Sequence, residues 1–552
     1  MSPRVVQALL WLALGFILLA TGYPVLLLFA QSVFPEILGG SLEGGFSAWR
    51  RIFETPDLLR MIVTTLLWAG SVTLLSWLMG IPCGYWLARY RFRGKMLARL
   101  SLLAPIMTPP YILALAYILV MQDAGFATRI FEAFPVGIRH WFFSFWGVTT
   151  VMALSSFGYV ALAIEASLGS IPRRLEVAAD LLGARRWQTL RHVLFPLLLP
   201  AILNSGLLVL LEALSNFGVP AVLASRANLP LLPAEIFFLI TAWPADLALA
   251  TSLSSLLCLF ALVALYGSRL LSKIRGEMRL RGSASPLSRP GPAMRLFIGF
   301  WFGALFVFST ALPYAAMVLT SLADQWQGAW PSLTLAHYRE LFAPGSRGFG
   351  ALMTSLGLST AAATLCVVIG PLIAYATLFG RGWLRPVVDG LATLPRVVPK
   401  IVVAVGLILA WNAPWVPFDL YNTVWMLLLA YVVIYVTDAL NYSNAGLRTL
   451  NRNLERAAEL AGARPGQVLL RVVLPHLRPA LIAAWLTTFI VCMRELVASI
   501  LLLPPGRDTT ATFIFNQFEQ GDVVVAMAMA TVTICLSTIV LLIFQFRRPG
   551  DT

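Results

Sequence analysis

The chain has 552 residues, of which 59% are apolar and 12% are charged. A soluble domain carries about 25% charged residues, so this composition excludes an ordinary water-soluble protein. The net charge of +15 does not indicate nucleic-acid binding, because the basic residues lie in short loops between apolar blocks, where they orient a membrane protein during insertion.

The apolar residues form blocks that are long enough, as helices, to cross about 30 Å of hydrocarbon. They lack the alternation of a barrel strand, so we predict an all-α polytopic membrane protein with about twelve transmembrane helices. The first block is longer than a signal-peptide core and no small-residue cleavage site follows it, so we expect it to be retained as a span. The predicted spans are 8–30, 60–87, 98–121, 142–168, 193–217, 246–270, 295–320, 350–379, 386–410, 421–444, 472–499 and 523–546.

The two halves of the chain carry matched landmarks in the same order. Six spans in each half give both halves the same orientation, so we predict two parallel six-helix repeats. The first domain is expected at 1–271, a linker rich in Arg, Ser, Pro and Gly at 272–294, and the second domain at 295–552. The matched pairs are Gly80 with Gly370, Pro105 with Pro395, and Pro109 with Pro399.

Most lysines and arginines fall in the loops on one side of the predicted membrane. Basic residues are retained on the cytoplasmic side, so both chain ends and two charged stretches are expected there. These stretches read "EVAADLLGARRWQTLRHVLFP" (176–196) and "ERAAELAGARPGQVLLRVVLP" (455–475).

Both charged stretches share the pattern E-x-A-A-x-x-x-G-A-R, followed by a proline. We predict a short helix that the glycine ends in left-handed conformation, then a new span with Pro196 or Pro475 in its first turn. The paired alanines leave a face that another surface can approach closely. An ordinary loop would not need this pattern twice, so we predict docking at loops 173–196 and 452–475. The residues concerned are Glu176, Ala178, Ala179, Gly183 and Arg185, with Glu455, Ala457, Ala458, Gly462 and Arg464.

These stretches resemble the "EAA" coupling loop of type I ABC importer permeases, and the resemblance covers nearly the whole chain. The segments "SNFGVPAVLAS" (215–225) and "MRELVASILLLP" (493–504) look most like the permeases of ferric-iron, thiamine and phosphonate uptake. One departure is that the family often has glutamate six residues before the glycine, where this chain has Val177 and Arg456.

The resemblance implies a bacterial inner-membrane permease that forms the path of an ATP-driven, binding-protein-dependent importer. Its implied partners are two ABC ATPase subunits at the cytoplasmic coupling loops, one soluble substrate-binding protein at outer loops such as 234–246 and 512–523, and the lipid bilayer. ATP and magnesium would be bound by the ATPase and no cofactor by this chain. The sequence itself lacks the G-x-x-x-x-G-K-[ST] phosphate-binding motif, which agrees with a transport subunit that is not an enzyme.

Charged residues within the spans are candidates for the translocation path. Arg396 and Lys400 are four residues apart in the ninth predicted span and would share a helix face. Because such charges are costly in a bilayer, they would face either a water-filled path or a carboxylate such as Asp438 or Asp389. If they face the path, they favour an anionic solute such as a phosphonate or a ferric-iron species, although thiamine or a polyamine stays open.

Four further polar residues lie late in the fifth and eleventh predicted spans. Asn216 aligns with Glu495 between the two repeats. An outer gate and a plain interfacial role are both compatible with their position. The residues are Glu212, Asn216, Arg494 and Glu495.

Two alternatives come from other functional classes. An ion-coupled secondary transporter needs an acidic residue at mid-membrane, for which Asp438 is the best candidate. An integral-membrane enzyme needs a cluster of His, Asp or Glu within the spans, and the sequence has none. No metal site is expected, because the five cysteines lie in apolar blocks without a CxxC pair and the four histidines are scattered.

Overall fold

The computed structural model describes residues 3–123, 125–130, 135–274, 288–325, 332–417 and 419–546. These ranges are helical and contain two isolated β-bridges but no β-strand, which confirms the all-α prediction. The helices of the first half are α1 (Pro3–Ile17), α2 (Tyr23–Val33), α3 (Ser47–Glu54), α4 (Pro56–Arg89), α5 (Lys95–Met107), α6 (Pro110–Met121), α7 (Phe126–Ile130), α8 (Val136–Phe142), α9 (Phe145–Ser170), α10 (Arg174–Leu181), α11 (Arg186–Thr189), α12 (Phe195–Ser215), α13 (Leu232–Thr241) and α14 (Leu247–Ile274).

The described part of the second half repeats the pattern with thirteen helices. They are α15 (Pro292–Phe306), α16 (Leu312–Leu322), α17 (Ala336–Leu341), α18 (Arg347–Phe379), α19 (Leu384–Ala392), α20 (Lys400–Trp411), α21 (Val424–Thr449), α22 (Arg452–Leu460), α23 (Pro465–Val468), α24 (Leu474–Met493), α25 (Val497–Leu502), α26 (Thr510–Glu519) and α27 (Val523–Phe546).

Within the described residues, eleven helical segments are long and apolar enough to cross a membrane, or twelve when one bent pair counts as a span. Their number confirms the expected polytopic architecture. The predicted linker 272–294 lies partly outside the described residues, which omit 275–287.

The third and ninth predicted spans are interrupted helices. Pro109 and Pro399 stand at the breaks before α6 and α20, because proline lacks an N–H and disfavours helix in the residue before it. The segments 384–396 and 400–411 are bent by 108°. Arg396 ends a short 3₁₀ turn and Lys400 begins α20, so the prediction that they share a helix face is wrong.

Several prolines follow a π-helical turn. Pro196 and Pro475 lie in the first turn of α12 and α24, as predicted, but these helices continue from α11 and α23 through π turns at Leu190–Leu194 and Leu469–Val473. Proline removes a donor and crowds the carbonyl four residues earlier. A wider turn with i→i+5 bonds accommodates both effects.

The chain packs as two compact units. One comprises residues 1–54, 236–258 and 321–552, and the other 55–235 and 259–320. Each unit contains the first span of the other half of the sequence: α1 and α2 pack with α18–α20, and α15 packs with α5. The domains predicted at 1–271 and 295–552 therefore describe sequence repeats, whereas the compact units exchange their first spans.

Small residues allow the long helices to approach closely. A Cβ added at Gly80 or Gly84 of α4 would lie 2.6 or 2.5 Å from backbone oxygens of α9. In the other unit, a Cβ at Gly370 of α18 would lie 2.9 Å from Ala439 of α21. Close packing at small residues is a main source of helix association in membranes, so these glycines fix the framework of each unit.

Candidate coupling and translocation sites

The two charged stretches fold into the same turn. Gly183 and Gly462 have φ values of +81° and +84°, which is the left-handed conformation expected of a glycine that ends a helix. The next amide closes the turn in each case: Ala184 N–H donates to Ala179 O, and Ala463 N–H donates to Ala458 O, both at 3.0 Å. The second alanine of each pair therefore supplies the carbonyl that ends its helix.

The surface of each turn that points away from the spans is exposed and partly apolar. Leu181 and Leu182 of the first turn are 83% and 88% exposed, and Leu460 of the second is 91% exposed. No atom outside the turn lies within 4 Å of a Cβ built on Gly183 or Gly462. The predicted residues Ala178, Arg185, Ala457 and Arg464 are exposed as well. Exposed apolar side chains beside a smooth glycine turn are typical of a protein-docking surface.

Each turn also contains a glutamine that the repeated sequence pattern did not include. The amide N–H of Arg185 donates to Gln188 Oε1 at 2.7 Å, and that of Arg464 donates to Gln467 Oε1 at 2.8 Å. These side chains bond a backbone donor at the start of α11 and α23. Gln188 and Gln467 have the same separation as the two glycines, and that signal could have identified them.

The two predicted glutamates face inward and tie the turns to spans. Glu176 pairs with Arg89 at the end of α4, at 2.6 Å. Glu455 accepts a hydrogen bond from Tyr375 OH of α18 at 3.3 Å and is 5% exposed. Burial raises the pKa of Glu176 above its ordinary value, and the attraction of Arg89 opposes that shift only in part. These glutamates hold the two turns against the spans and do not form the exposed surface of the turns.

A cluster around Glu495 lies where two helix interruptions of the second repeat meet. One is the interruption before α20, and the other separates α24 from α25 at residues 494–496. Lys400 Nζ lies 3.2 Å from Glu495 Oε2, and Tyr435 OH of α21 donates to the same oxygen. Glu495 Oε1 accepts from Val497 N–H at 3.0 Å, so the carboxylate also caps α25. The structure thus pairs Lys400 with a carboxylate other than the two considered from sequence, Asp438 and Asp389.

The other predicted path residues have separate environments. Arg396 is exposed, whereas Glu212, Asp438 and Arg494 are half-buried. Asn216 Oδ1 accepts from Val219 N–H at 2.9 Å, which is the capping role that Glu495 has in the second repeat. Two of the seven predicted path residues, Lys400 and Glu495, form an ion pair with each other.

No metal site is found in the part of the chain that the structure describes. Its His, Cys, Asp and Glu side chains form no group of three or more that could hold a metal ion. Four of the cysteines are buried and Cys535 is exposed, all as free thiols.

Two repeats of interrupted and continuous spans, each with an exposed glycine turn between spans, define a membrane permease. The chain belongs to the family of binding-protein-dependent transport system inner membrane components, whose sequence model matches residues 80–272 and 366–548. One match falls in each half and includes one of the two turns.

Similar proteins include permeases of different lengths. The ferric transport system permease protein FbpB of Actinobacillus pleuropneumoniae is 27% identical over 512 residues, covering 91% of this chain and 73% of that protein. The Fe(3+)-transport system permease protein FbpB 2 of Haemophilus influenzae is 25% identical over 536 residues, 96% of each chain. The putative 2-aminoethylphosphonate transport system permease protein PhnV of Salmonella typhimurium is 27% identical over 256 residues, covering 46% of this chain and 94% of that protein.

These findings confirm the resemblance to a fused, two-repeat ABC importer permease. The chain is a multi-pass inner-membrane transport subunit. The comparisons give no support to an ion-coupled secondary transporter.

Proposed function

We propose that this chain forms the whole translocation path of an ATP-driven importer for a small polar solute. Two ATPase subunits bind at the cytoplasmic turns that follow α10 and α22, and one soluble substrate-binding protein docks on the outer side. ATP and magnesium are bound by the ATPase. Both chain ends lie in the cytoplasm, as the distribution of basic residues predicts.

The observation that carries this proposal is the repeated exposed turn. Each turn joins a short helix to a span through a left-handed glycine and presents leucines to its surroundings. Closure of the ATPase pair on ATP binding draws the two turns together and opens the path outward, and hydrolysis resets it. The chain contributes binding surfaces and motion, and no covalent step.

The solute class favoured is an anion or a ferric species. Similar proteins are named for ferric iron and for 2-aminoethylphosphonate. Arg396 is an exposed cation at the interruption of the ninth span, where a charge needs water or a ligand. Thiamine and polyamines are disfavoured by the same cation.

Reconstitution tests this proposal directly. The chain is purified with its partner ATPase and binding protein and placed in liposomes. Uptake is then measured for ferric citrate, 2-aminoethylphosphonate, thiamine and spermidine, each with ATP or with a non-hydrolysable analogue. We expect uptake of one of the first two that requires hydrolysable ATP and the binding protein. Uptake that is independent of ATP, or of cations such as thiamine alone, would contradict the class or the solute respectively.

A further inference from the structure

Two helix interruptions of the second repeat lie beside each other. One separates α19 from α20 and the other, at residues 494–496, separates α24 from α25. Interrupted helices leave backbone groups without partners, which a membrane tolerates only where other protein groups satisfy them. The side chains that bond these free backbone groups therefore fix the positions of the helix ends at each interruption.

One carboxylate serves both interruptions. Glu495 Oε1 accepts from Val497 N–H at 3.0 Å and from Ala498 N–H at 3.5 Å, at the start of α25. Its Oε2 accepts from Lys400 Nζ at 3.2 Å, and Lys400 is the first residue of α20. Glu495 is 4% exposed, so water competes little for either oxygen.

Other side chains fix this carboxylate from α21. Tyr435 OH donates to Glu495 Oε2, and the Lys400 ammonium lies 5.6 Å from the centre of the Tyr435 ring. One turn earlier, Tyr431 OH is 2.7 Å from Ser499 Oγ of α25. Helix α21 is thus a common support for α20 and α25.

The first repeat has an equivalent helix cap, but the residue that provides it is uncharged. Asn216 stands where the second repeat has Glu495, and its Oδ1 accepts from Val219 N–H at 2.9 Å. Pro110, which is uncharged, stands where the second repeat has Lys400. Since a neutral oxygen suffices for the cap, the charge on Glu495 has a separate task, which is the bond to Lys400.

We propose that Lys400 and Glu495 are positioning residues of the permease. They join the interruptions α19–α20 and α24–α25 into one body that moves as a unit when the path opens, and Lys400 does not contact the solute. This inference rests on the proposed transport function and extends it, because it assigns the intramembrane cation to the protein's own carboxylate and leaves Arg396 as the solute-facing cation.

A double-mutant cycle tests the pair in the reconstituted complex. Glu495→Gln retains an acceptor for the α25 cap and removes the charge, and Lys400→Met removes the cation. We expect each single variant to lower uptake about tenfold and to raise ATP hydrolysis in the absence of the binding protein, because the interruptions then move independently. The double variant removes both charges and is expected to recover most of the lost uptake, as coupled sites do.

Each alternative gives a different result. If Lys400 contacts the solute, the double variant transports no better than Lys400→Met, which overturns the proposal. If the pair has only a folding role, the single variants lower the amount of complex without raising ATP hydrolysis per complex, which also overturns it. Wild-type uptake by the single variants would also overturn the proposal.

Two controls complete the experiment. Asp389→Asn changes an exposed carboxylate of α19 and is expected to leave uptake unchanged. Lys400→Arg keeps the cation and is expected to retain coupling. Failure of the wild-type complex to import any solute would refute the proposed function, whereas wild-type import with an unrescued double variant would refute only the role of the pair.

Discussion

The two coupling turns have the same backbone but different anchors. Each has a glycine at positive φ, a carbonyl from the second alanine and a glutamine bond at the next helix start. The first is anchored to its unit by the ion pair of Glu176 with Arg89, and the second by the hydrogen bond of Glu455 with Tyr375.

This difference separates the exposed part of each turn, which is the same in both repeats, from the anchor, which is not. The exposed backbone geometry is the same in both repeats, as the proposed docking of the same kind of subunit on both turns would require. The anchor faces the protein's own spans, where an ion pair and a neutral donor both hold a glutamate. The turns should therefore respond alike to changes in the glycine and differently to changes in the anchor.

The largest effect is expected from the glycines. Gly183→Val and Gly462→Val place a β-branched residue at positive φ, where it is strongly disfavoured, and add bulk to the docking face. Each should abolish ATP-driven uptake while membrane insertion, measured by the amount of protein in purified membranes, is unchanged.

Asparagine variants separate backbone strain from added bulk at the docking face, because asparagine tolerates positive φ. Retained uptake in Gly183→Asn and Gly462→Asn would assign the effect to the backbone, and loss of uptake would assign it to bulk at the docking face. Normal uptake by either valine variant would contradict the docking role. A much larger loss of uptake in one valine variant than in the other would show that the two turns are not equivalent.

The next largest effect is expected from the anchors. Arg89→Met leaves a largely buried carboxylate without its cation, which costs about 3 kcal/mol, whereas Tyr375→Phe removes one hydrogen bond to a carboxylate and costs about 1.5 kcal/mol. Uptake should fall more in Arg89→Met. Hydrogen exchange should show increased opening of α10 in the first variant and of α22 in the second.

The control for the ion pair is Arg89→Met combined with Glu176→Gln, which removes both charges and should restore protection of α10. Equal effects of Arg89→Met and Tyr375→Phe would mean that the two anchors are interchangeable.

A smaller effect is expected from pH. The folded state raises the pKa of Glu176 because burial disfavours the carboxylate more than Arg89 stabilises it. The closed α10 therefore binds the proton more tightly than the open form, and its stability is greatest below the ordinary glutamate pKa and is lost as pH rises through the raised pKa. Hydrogen exchange in α10, corrected for intrinsic rates, should show more opening across that interval.

Glu176→Gln has no proton to lose and should abolish this dependence. Protection of α10 that increases with pH in the wild-type protein would reverse the sign and contradict the interpretation.

The smallest effect is expected from the glutamines. Gln188→Ala and Gln467→Ala each remove one helix-start hydrogen bond, worth about 1 kcal/mol, and should increase opening of α11 and α23 to a similar extent. Gln→Glu variants retain the acceptor and serve as controls. A change confined to one turn would show that the caps, like the anchors, differ between repeats.

Much of the fold follows from patterns of composition and separation. Apolar blocks predicted the spans, and the repeated E-x-A-A-x-x-x-G-A-R pattern predicted both left-handed turns, because local chemistry fixes a glycine at a helix end. The interruptions at Pro109 and Pro399 were missed. A proline near the start of an apolar block is compatible with an intact helix, and only packing shows where the axis turns.

The partners of charged residues were harder to predict. Asp438 and Asp389 were the carboxylates considered for Lys400. Glu495, almost a hundred positions later, is brought to Lys400 by the packing of α20 and α25 around α21. The exchange of first spans between the two units depends likewise on tertiary contacts that leave no periodic signal in the chain.

The π turns before Pro196 and Pro475 restrict how the spans can change in length during evolution. Each wide turn contains one surplus residue compared with an α-helical turn. The surplus rotates every later side chain of the helix by about 100° at 3.6 residues per turn. A one-residue deletion there would shorten the loop-to-span connection and also rotate the side chains of α12 and α24, so these short segments set the rotational register between each glycine turn and the span that follows it.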